Sequence, residues 1–116
     1  MIVDDNPMIA KMVRVWLERT GFYKTREQTD PLHALETARH FKPDLVLLDV
    51  DMPGMDGGKV GDAIRRDPEL GGTPILFLTA FIARAESLAG GRKFIPKPVS
   101  PAELIESVEE ALAVCH

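Results

Sequence analysis

Three carboxylates, a hydroxyl and an ammonium stand directly after short apolar segments of this chain. These are Asp4 and Asp5, Asp49, Thr79 and Lys97. Carboxylates held together repel one another unless a cation neutralises them, and oxygen ligands without a nearby His or Cys favour Mg²⁺ or Mn²⁺ over zinc. An ammonium and a hydroxyl beside a metal-bound carboxylate suit the oxygens of a phosphoryl group. The set predicts Mg²⁺-dependent phosphoryl transfer, and Asp49, which ends the most apolar strand, is the best candidate for the nucleophile.

The elements that position these residues alternate between short apolar runs and amphipathic stretches. Strands are predicted at 2–3, 23–27, 45–48, 75–78 and 94–95, and helices at 7–19, 31–40, 58–66, 82–89 and from the capping box at 100–103 onward. This alternation predicts an α/β domain with a doubly wound parallel sheet. In such a sheet the functional site lies beyond the carboxyl ends of the strands. The five polar residues all follow strand ends, so we expect them to share one edge.

Length, charge and composition limit the classes of protein to which the chain can belong. Its 116 residues correspond to one ordinary domain with a core of its own. The formal net charge is −4 without a basic block, so direct binding to nucleic acid is not expected. A single cysteine, Cys115, excludes an internal disulfide, and no apolar run is long enough to span a bilayer. The acids at positions 4 and 5 argue against a signal peptide, so we expect a cytoplasmic domain.

Five segments carry a resemblance to a known family. They are VDDNP at 3–7, KPDLVLLD at 42–49, MPGMDG at 52–57, LTA at 78–80 and KP at 97–98. Together, in this order and spacing, they resemble the receiver domain of bacterial response regulators in two-component signal transduction. The resemblance implies one receiver domain over 1–116 with a flavodoxin-like, chemotaxis-regulator-like fold of five parallel strands in the order 2-1-3-4-5. Few residues precede the first acids, and the interval between 79 and 97 is shorter than usual in the family, so a shortened first strand and a shortened fourth helix are expected.

The resemblance also implies a role for each acid at the predicted edge. Asp49 would be the phosphoacceptor. Asp5 would bind Mg²⁺ directly, and Asp4 would bind it mainly through water. The backbone carbonyl of Asp51 would be a further ligand of the metal.

Other residues would hold the phosphoryl group and transmit its effect. Thr79 would hydrogen-bond the phosphoryl group, Ala80 would offer its backbone N–H, and Lys97 would pair with the phosphoryl oxygens. On activation Thr79 would move towards the phosphoryl group, and Phe94 would turn inward as the switch aromatic. Phosphorylation would thus bias two pre-existing conformations.

The implied partners are proteins. The phosphoryl donor would be a phosphohistidine on a sensor histidine kinase or on a phosphotransfer protein. The output would pass to a downstream protein or to an output domain outside this chain, without direct contact with nucleic acid or membrane. The chain would not be an enzyme beyond its own phosphorylation and slow autodephosphorylation.

Two alternative functions stay open at this point. The first is a pseudo-receiver, an interaction module that keeps the fold without being phosphorylated; the shortened first strand and fourth helix keep this reading open. The second is a phosphatase similar to the haloacid dehalogenases, because Asp49 and Asp51 form an Asp-x-Asp pair. The order of segments argues against the phosphatase, since those enzymes place the nucleophile early and the paired acids late.

Overall fold

The fold is a central parallel sheet with helices on both faces. The computed structural model describes residues 1–49, 51–52, 55–79, 93–96 and 100–114. The strands are β1 (Ile2–Val3), β2 (Glu27–Gln28), β3 (Val46–Asp49), β4 (Asp51–Met52), β5 (Met55–Asp56), β6 (Ile75–Thr79) and β7 (Lys93–Pro96). The helices are α1 (Pro7–Glu18), α2 (Ala34–Phe41), α3 (Gly57–Arg66) and α4 (Pro101–Val114), and a 3₁₀ turn (Pro31–His33) precedes α2.

The sheet has the strand order β2-β1-β3-β6-β7, and every neighbouring pair is parallel. Strands β4 and β5 form a separate antiparallel ribbon, so the main sheet has the predicted order 2-1-3-4-5. The flavodoxin-like prediction is therefore confirmed, as is the shortened first strand, since β1 has only two residues. The predicted helix over 82–89 lies outside the described residues, as do the two residues at 53–54 that join β4 to β5.

Alternating side chains of the central strands build two apolar layers. Leu45 and Leu47 belong to a cluster with α1 and α4, whereas Val46 and Leu48 belong to a cluster with α2 and α3. Both faces of β3 are thus covered, which explains why its sequence is a continuous apolar run rather than an alternating one. The polar residue at the end of this strand, Asp49, is consequently fixed by a rigid element.

Local sequence signals set most of the element bounds. Asn6 caps α1, and Pro7 occupies its first position. The predicted capping box opens α4, where the Glu103 N–H donates to Ser100 Oγ over 3.2 Å. Helix α2 ends at Lys42, a non-glycine residue in the left-handed region with φ of 53°.

Some predicted bounds are wrong, and the structure shows why. The predicted strand at 23–27 is only Glu27–Gln28, because β1 offers it partners at just two positions, Ile2 and Val3. The predicted helix at 31–40 begins as a 3₁₀ turn, whose N-cap is Asp30, with its side chain accepting the backbone N–H of Leu32 over 3.0 Å. Strand β6 extends one residue further than predicted, and β3 is shifted by one residue, since it covers 46–49 instead of 45–48.

Candidate functional site

The first two acids and the third meet because their strands are neighbours. Strand β1 runs beside β3 with Val3 opposite Leu48. The next residues along the two strands, Asp4 and Asp49, therefore lie at corresponding positions on the carboxyl edge of the sheet. Both carboxylates are buried, with exposures of 1% and 2%.

In the turn after β1, Asn6 hydrogen-bonds to Asp4 and also caps α1, so the side chain of Asp5 is not the helix cap. Asn6 Oδ1 accepts the backbone N–H groups of Met8 at 3.0 Å and Ile9 at 3.4 Å, so Asn6 rather than Asp5 caps α1. The Asn6 N–H in turn donates to Asp4 Oδ1 over 2.9 Å. The sequence does not predict this second bond directly; its signal is the Asp at position 4, because an Asp side chain often accepts the backbone N–H two residues further on.

One carboxylate oxygen from each of Asp4, Asp5 and Asp49 lies within 4.8 Å of the other two. We call these three residues the acidic cluster. Two of its members are buried and Asp5 is half-buried, so charge is concentrated where water screens it weakly. Three hard oxygen ligands at such spacing suit a small divalent cation, and Mg²⁺ typically binds one or two carboxylates while retaining waters and phosphate oxygens. The donor set therefore fits Mg²⁺.

The other residues predicted for the site are placed by the backbone of neighbouring strands. Thr79 ends β6, one residue beyond the Leu78 that pairs with Asp49. Asp51 begins β4 and pairs with Asp56 across the ribbon. Phe94 lies within β7.

Two predicted contacts of the phosphoryl group fall outside the described residues. They are Ala80 and Lys97. Their immediate neighbours in the chain are described, since Thr79 and Pro96 end their strands opposite one another. Strands β3, β6 and β7 thus finish at the same edge, beside the acidic cluster.

Among the described residues, no helix is both long and apolar enough to cross a membrane. The longest described helix, α4, has 14 residues, and its sequence carries several glutamates. A transmembrane helix needs about 20 predominantly apolar residues.

The doubly wound parallel sheet with acids at its carboxyl edge is a flavodoxin-like arrangement. A sequence model of the family described as "Response regulator receiver domain" matches residues 1–109. The chain therefore belongs to the response regulator receiver domain family. Members of this family act in two-component signal transduction and are signalling domains rather than conventional enzymes, so the phosphatase alternative loses its basis.

Individual response regulators and receiver domains are similar to this chain in sequence and in structure. The polar-differentiation response regulator DivK of Brucella anthropi is 34% identical over 97% of this chain and 94% of its own. The crystallised chemotaxis protein CheY4 of Vibrio cholerae has a TM-score of 0.83 and 29% identity over 95% of this chain and 94% of its own. The receiver domain of the sensor histidine kinase PA1611 of Pseudomonas aeruginosa, solved with magnesium coordinated in its active site cleft, has a TM-score of 0.85 and 26% identity over 97% and 94% of the two chains.

Proposed function

We propose that residues 1–116 form a phosphoacceptor domain, which takes a phosphoryl group from a phosphohistidine onto Asp49 in the presence of Mg²⁺. The observation that carries the proposal is the acidic cluster: three carboxylates within 4.8 Å of one another, two of them buried, at the carboxyl edge of the sheet. Burying carboxylates in this way is costly unless they bind a cation or a set of donors. A purely structural role does not require three of them at one place.

The proposed reaction is a displacement at phosphorus. A carboxylate oxygen of Asp49 attacks the phosphorus of the phosphohistidine, and an O–P bond forms as the P–N bond breaks. The electron pair of that bond stays on the imidazole nitrogen, and the product is an acyl phosphate on Asp49. Asp4, Asp5 and Asp49, together with the backbone carbonyl of Asp51, would hold the metal. Mg²⁺ at this position would neutralise the carboxylates and the phosphoryl oxygens.

Residues at the ends of the neighbouring strands complete the proposal. Thr79 hydrogen-bonds the phosphoryl group, Ala80 donates its backbone N–H and Lys97 pairs with the phosphoryl oxygens. In support, β6 ends at Thr79 beside β3, and β7 ends one residue before Lys97. The charge added at Asp49 then draws Thr79 inward, and Phe94 follows as the switch aromatic.

The proposed partners are a sensor histidine kinase or a phosphotransfer protein on the donor side and a downstream protein or an output domain on the other side. We place the domain in the cytoplasm and assign it no direct contact with nucleic acid. The only catalysis proposed is its own phosphorylation and slow autodephosphorylation.

Intact-mass spectrometry after incubation with Mg²⁺ and a small acyl-phosphate donor tests the proposal. We expect a gain of one phosphoryl group, which EDTA and the Asp49→Asn substitution both abolish. Asp44→Asn is the matched control, since this exposed aspartate lies near the other end of the same strand and should leave the gain intact. A folded protein that gains no phosphoryl group would instead be a pseudo-receiver.

A further inference from the structure

A groove of about 390 Å³ lies between β2 and the segment that forms the 3₁₀ turn and α2. We call it the α2 groove, and its lining residues include Glu27 and Gln28 on the strand side and His33, Glu36, Thr37 and His40 on the helix side. The side-chain amide of Gln28 donates to Thr37 Oγ1 over 2.6 Å, so a hydrogen bond joins the two sides. None of the residues of the acidic cluster lines this groove.

The helix side of the α2 groove carries three side chains that can bind a metal. His33 and Glu36 are three positions apart, and Glu36 and His40 are four apart, so they lie on one face of the helical segment. An ion above Glu36 would lie about 5 Å along the helix axis from either histidine. An imidazole side chain with a Zn–N bond of about 2 Å can cover that distance.

The ring of His33 is already oriented in the manner of a metal-bound imidazole. Its Nδ1 lies 2.9 Å from Asp30 Oδ2, and Asp30 is itself held because its Oδ1 accepts the Leu32 N–H over 3.0 Å. When a carboxylate accepts the Nδ1 proton, the lone pair of the neutral ring is on Nε2. Histidines that bind metals almost always donate their other ring N–H to such a partner.

The side chains of Glu36 and His40 are available for a ligand. Both are exposed, and among the described residues neither has a hydrogen-bond or ion-pair partner. The other carboxylate of the groove, Glu27, pairs with Arg14 over 3.1 Å. Arg26 also lines the groove, but it is exposed, so water and salt screen its charge. Glu36 is therefore the carboxylate that a cation in the groove would meet.

Binding requires a change of side-chain conformation. In the described part of the chain, only the acidic cluster brings three ligand atoms within 4.8 Å of one another. Glu36 and His40 must therefore turn towards His33 to share one ion. Exposed side chains change rotamer within nanoseconds or less, so this step presents no kinetic barrier to binding.

We propose that His33, Glu36 and His40 form a second metal site, which binds Zn²⁺ through two imidazole nitrogens and one carboxylate, with water as the fourth ligand. Imidazole suits Zn²⁺, whereas Mg²⁺ prefers oxygen ligands. The α2 groove and the acidic cluster would therefore select different cations from the same solution. Bound Zn²⁺ would also connect the 3₁₀ turn to the last turn of α2, and so stabilise this helix.

NMR and calorimetry with Zn²⁺ in excess Mg²⁺ test the proposal, since Mg²⁺ occupies the acidic cluster. We expect Zn²⁺ to shift the ring nitrogens of His33 and His40 in imidazole ¹H–¹⁵N spectra. His33→Gln and His40→Gln should each weaken Zn²⁺ binding by about tenfold or more in calorimetric titration, and Asp30→Asn should weaken it by about tenfold because it releases the His33 ring. Without Zn²⁺, equal thermal midpoints of these variants and the original chain would show that folding is unaffected.

His116→Gln is the matched control. This third histidine follows Cys115 in the sequence and lies outside the described residues, so its replacement should leave Zn²⁺ affinity unchanged. Unchanged Zn²⁺ affinity in both His33→Gln and His40→Gln would overturn the proposal. Loss of binding in His116→Gln alone would also overturn it, because the ion would then be held at the end of the chain.

Discussion

Replacing Gly61 by alanine should destabilise the fold, even though alanine is the better helix former. Gly61 lies inside α3, where the change alone would favour the helix by about 1 kcal/mol. A Cβ atom there would lie 2.9 Å from Cζ and 3.2 Å from Cε1 of Phe77. Carbon atoms pack at about 3.5–4.0 Å, so the ring would have to move by roughly half an ångström.

The Phe77 ring has little space into which it can move. Phe77 is fully buried in the layer between the sheet and helices α2 and α3. Overpacking such a site costs about 1–3 kcal/mol. This cost outweighs the free energy that alanine gains from its higher helix propensity. We therefore expect the free energy of unfolding to fall by about 1 kcal/mol, with a thermal midpoint lower by roughly 3–6 °C.

Urea unfolding followed by Trp16 fluorescence measures this change, since Trp16 packs against the other apolar layer. Gly72→Ala is the control, because a Cβ there meets nothing within 4 Å, and it should change stability by less than about 0.5 kcal/mol. In a Phe77→Leu background the cost of Gly61→Ala should disappear, because the ring causes it. A Gly61→Ala protein at least as stable as the original, in both backgrounds, would refute the reasoning.

Three further predictions concern the site and its surroundings. Asp4→Asn should weaken Mg²⁺ binding by about tenfold or more in calorimetric titration, because it removes one negative charge from the acidic cluster. Lys42→Gly should raise the free energy of unfolding by about 0.5–1 kcal/mol in urea titration, because it relieves the left-handed conformation at the end of α2. Hydrogen bonds from the Glu69 N–H and from Arg39 lower the pKa of Asp67, so its contribution to stability is present above an aspartate's ordinary pKa and is lost as the pH falls through the lowered value. Asp67→Asn should therefore be less stable at neutral pH and lose less stability on acidification, as measured by thermal unfolding across pH.

The acidic cluster could be predicted from sequence because its position follows from topology alone. A fully apolar strand at 45–48 indicates burial on both faces, and a parallel sheet brings the carboxyl ends of its strands together. These two rules are sufficient to predict that Asp4, Asp5 and Asp49 lie close together. The hydrogen bond from the Asn6 N–H to Asp4 depends on the conformation of one turn, and its signal in the sequence is the Asp two residues before Asn6.

Features that depend on pairing between distant segments could not be predicted. The length of β2 is set by the number of β1 residues with which it can pair, and not by the apolar residues at 23–27. The ribbon that pairs Asp51 with Asp56 joins two segments of two residues each, which are too short to carry a strand pattern.

The most direct test of the proposed function is to locate the phosphoryl group. The chain is phosphorylated by a histidine kinase or by a small acyl phosphate with Mg²⁺, reduced with borohydride and analysed by peptide mass spectrometry. Reduction should mark a single residue, Asp49, and omission of Mg²⁺ should abolish the mark. A mark on another residue, or one formed equally well without Mg²⁺, would contradict the assignment of the acidic cluster as the phosphoacceptor site.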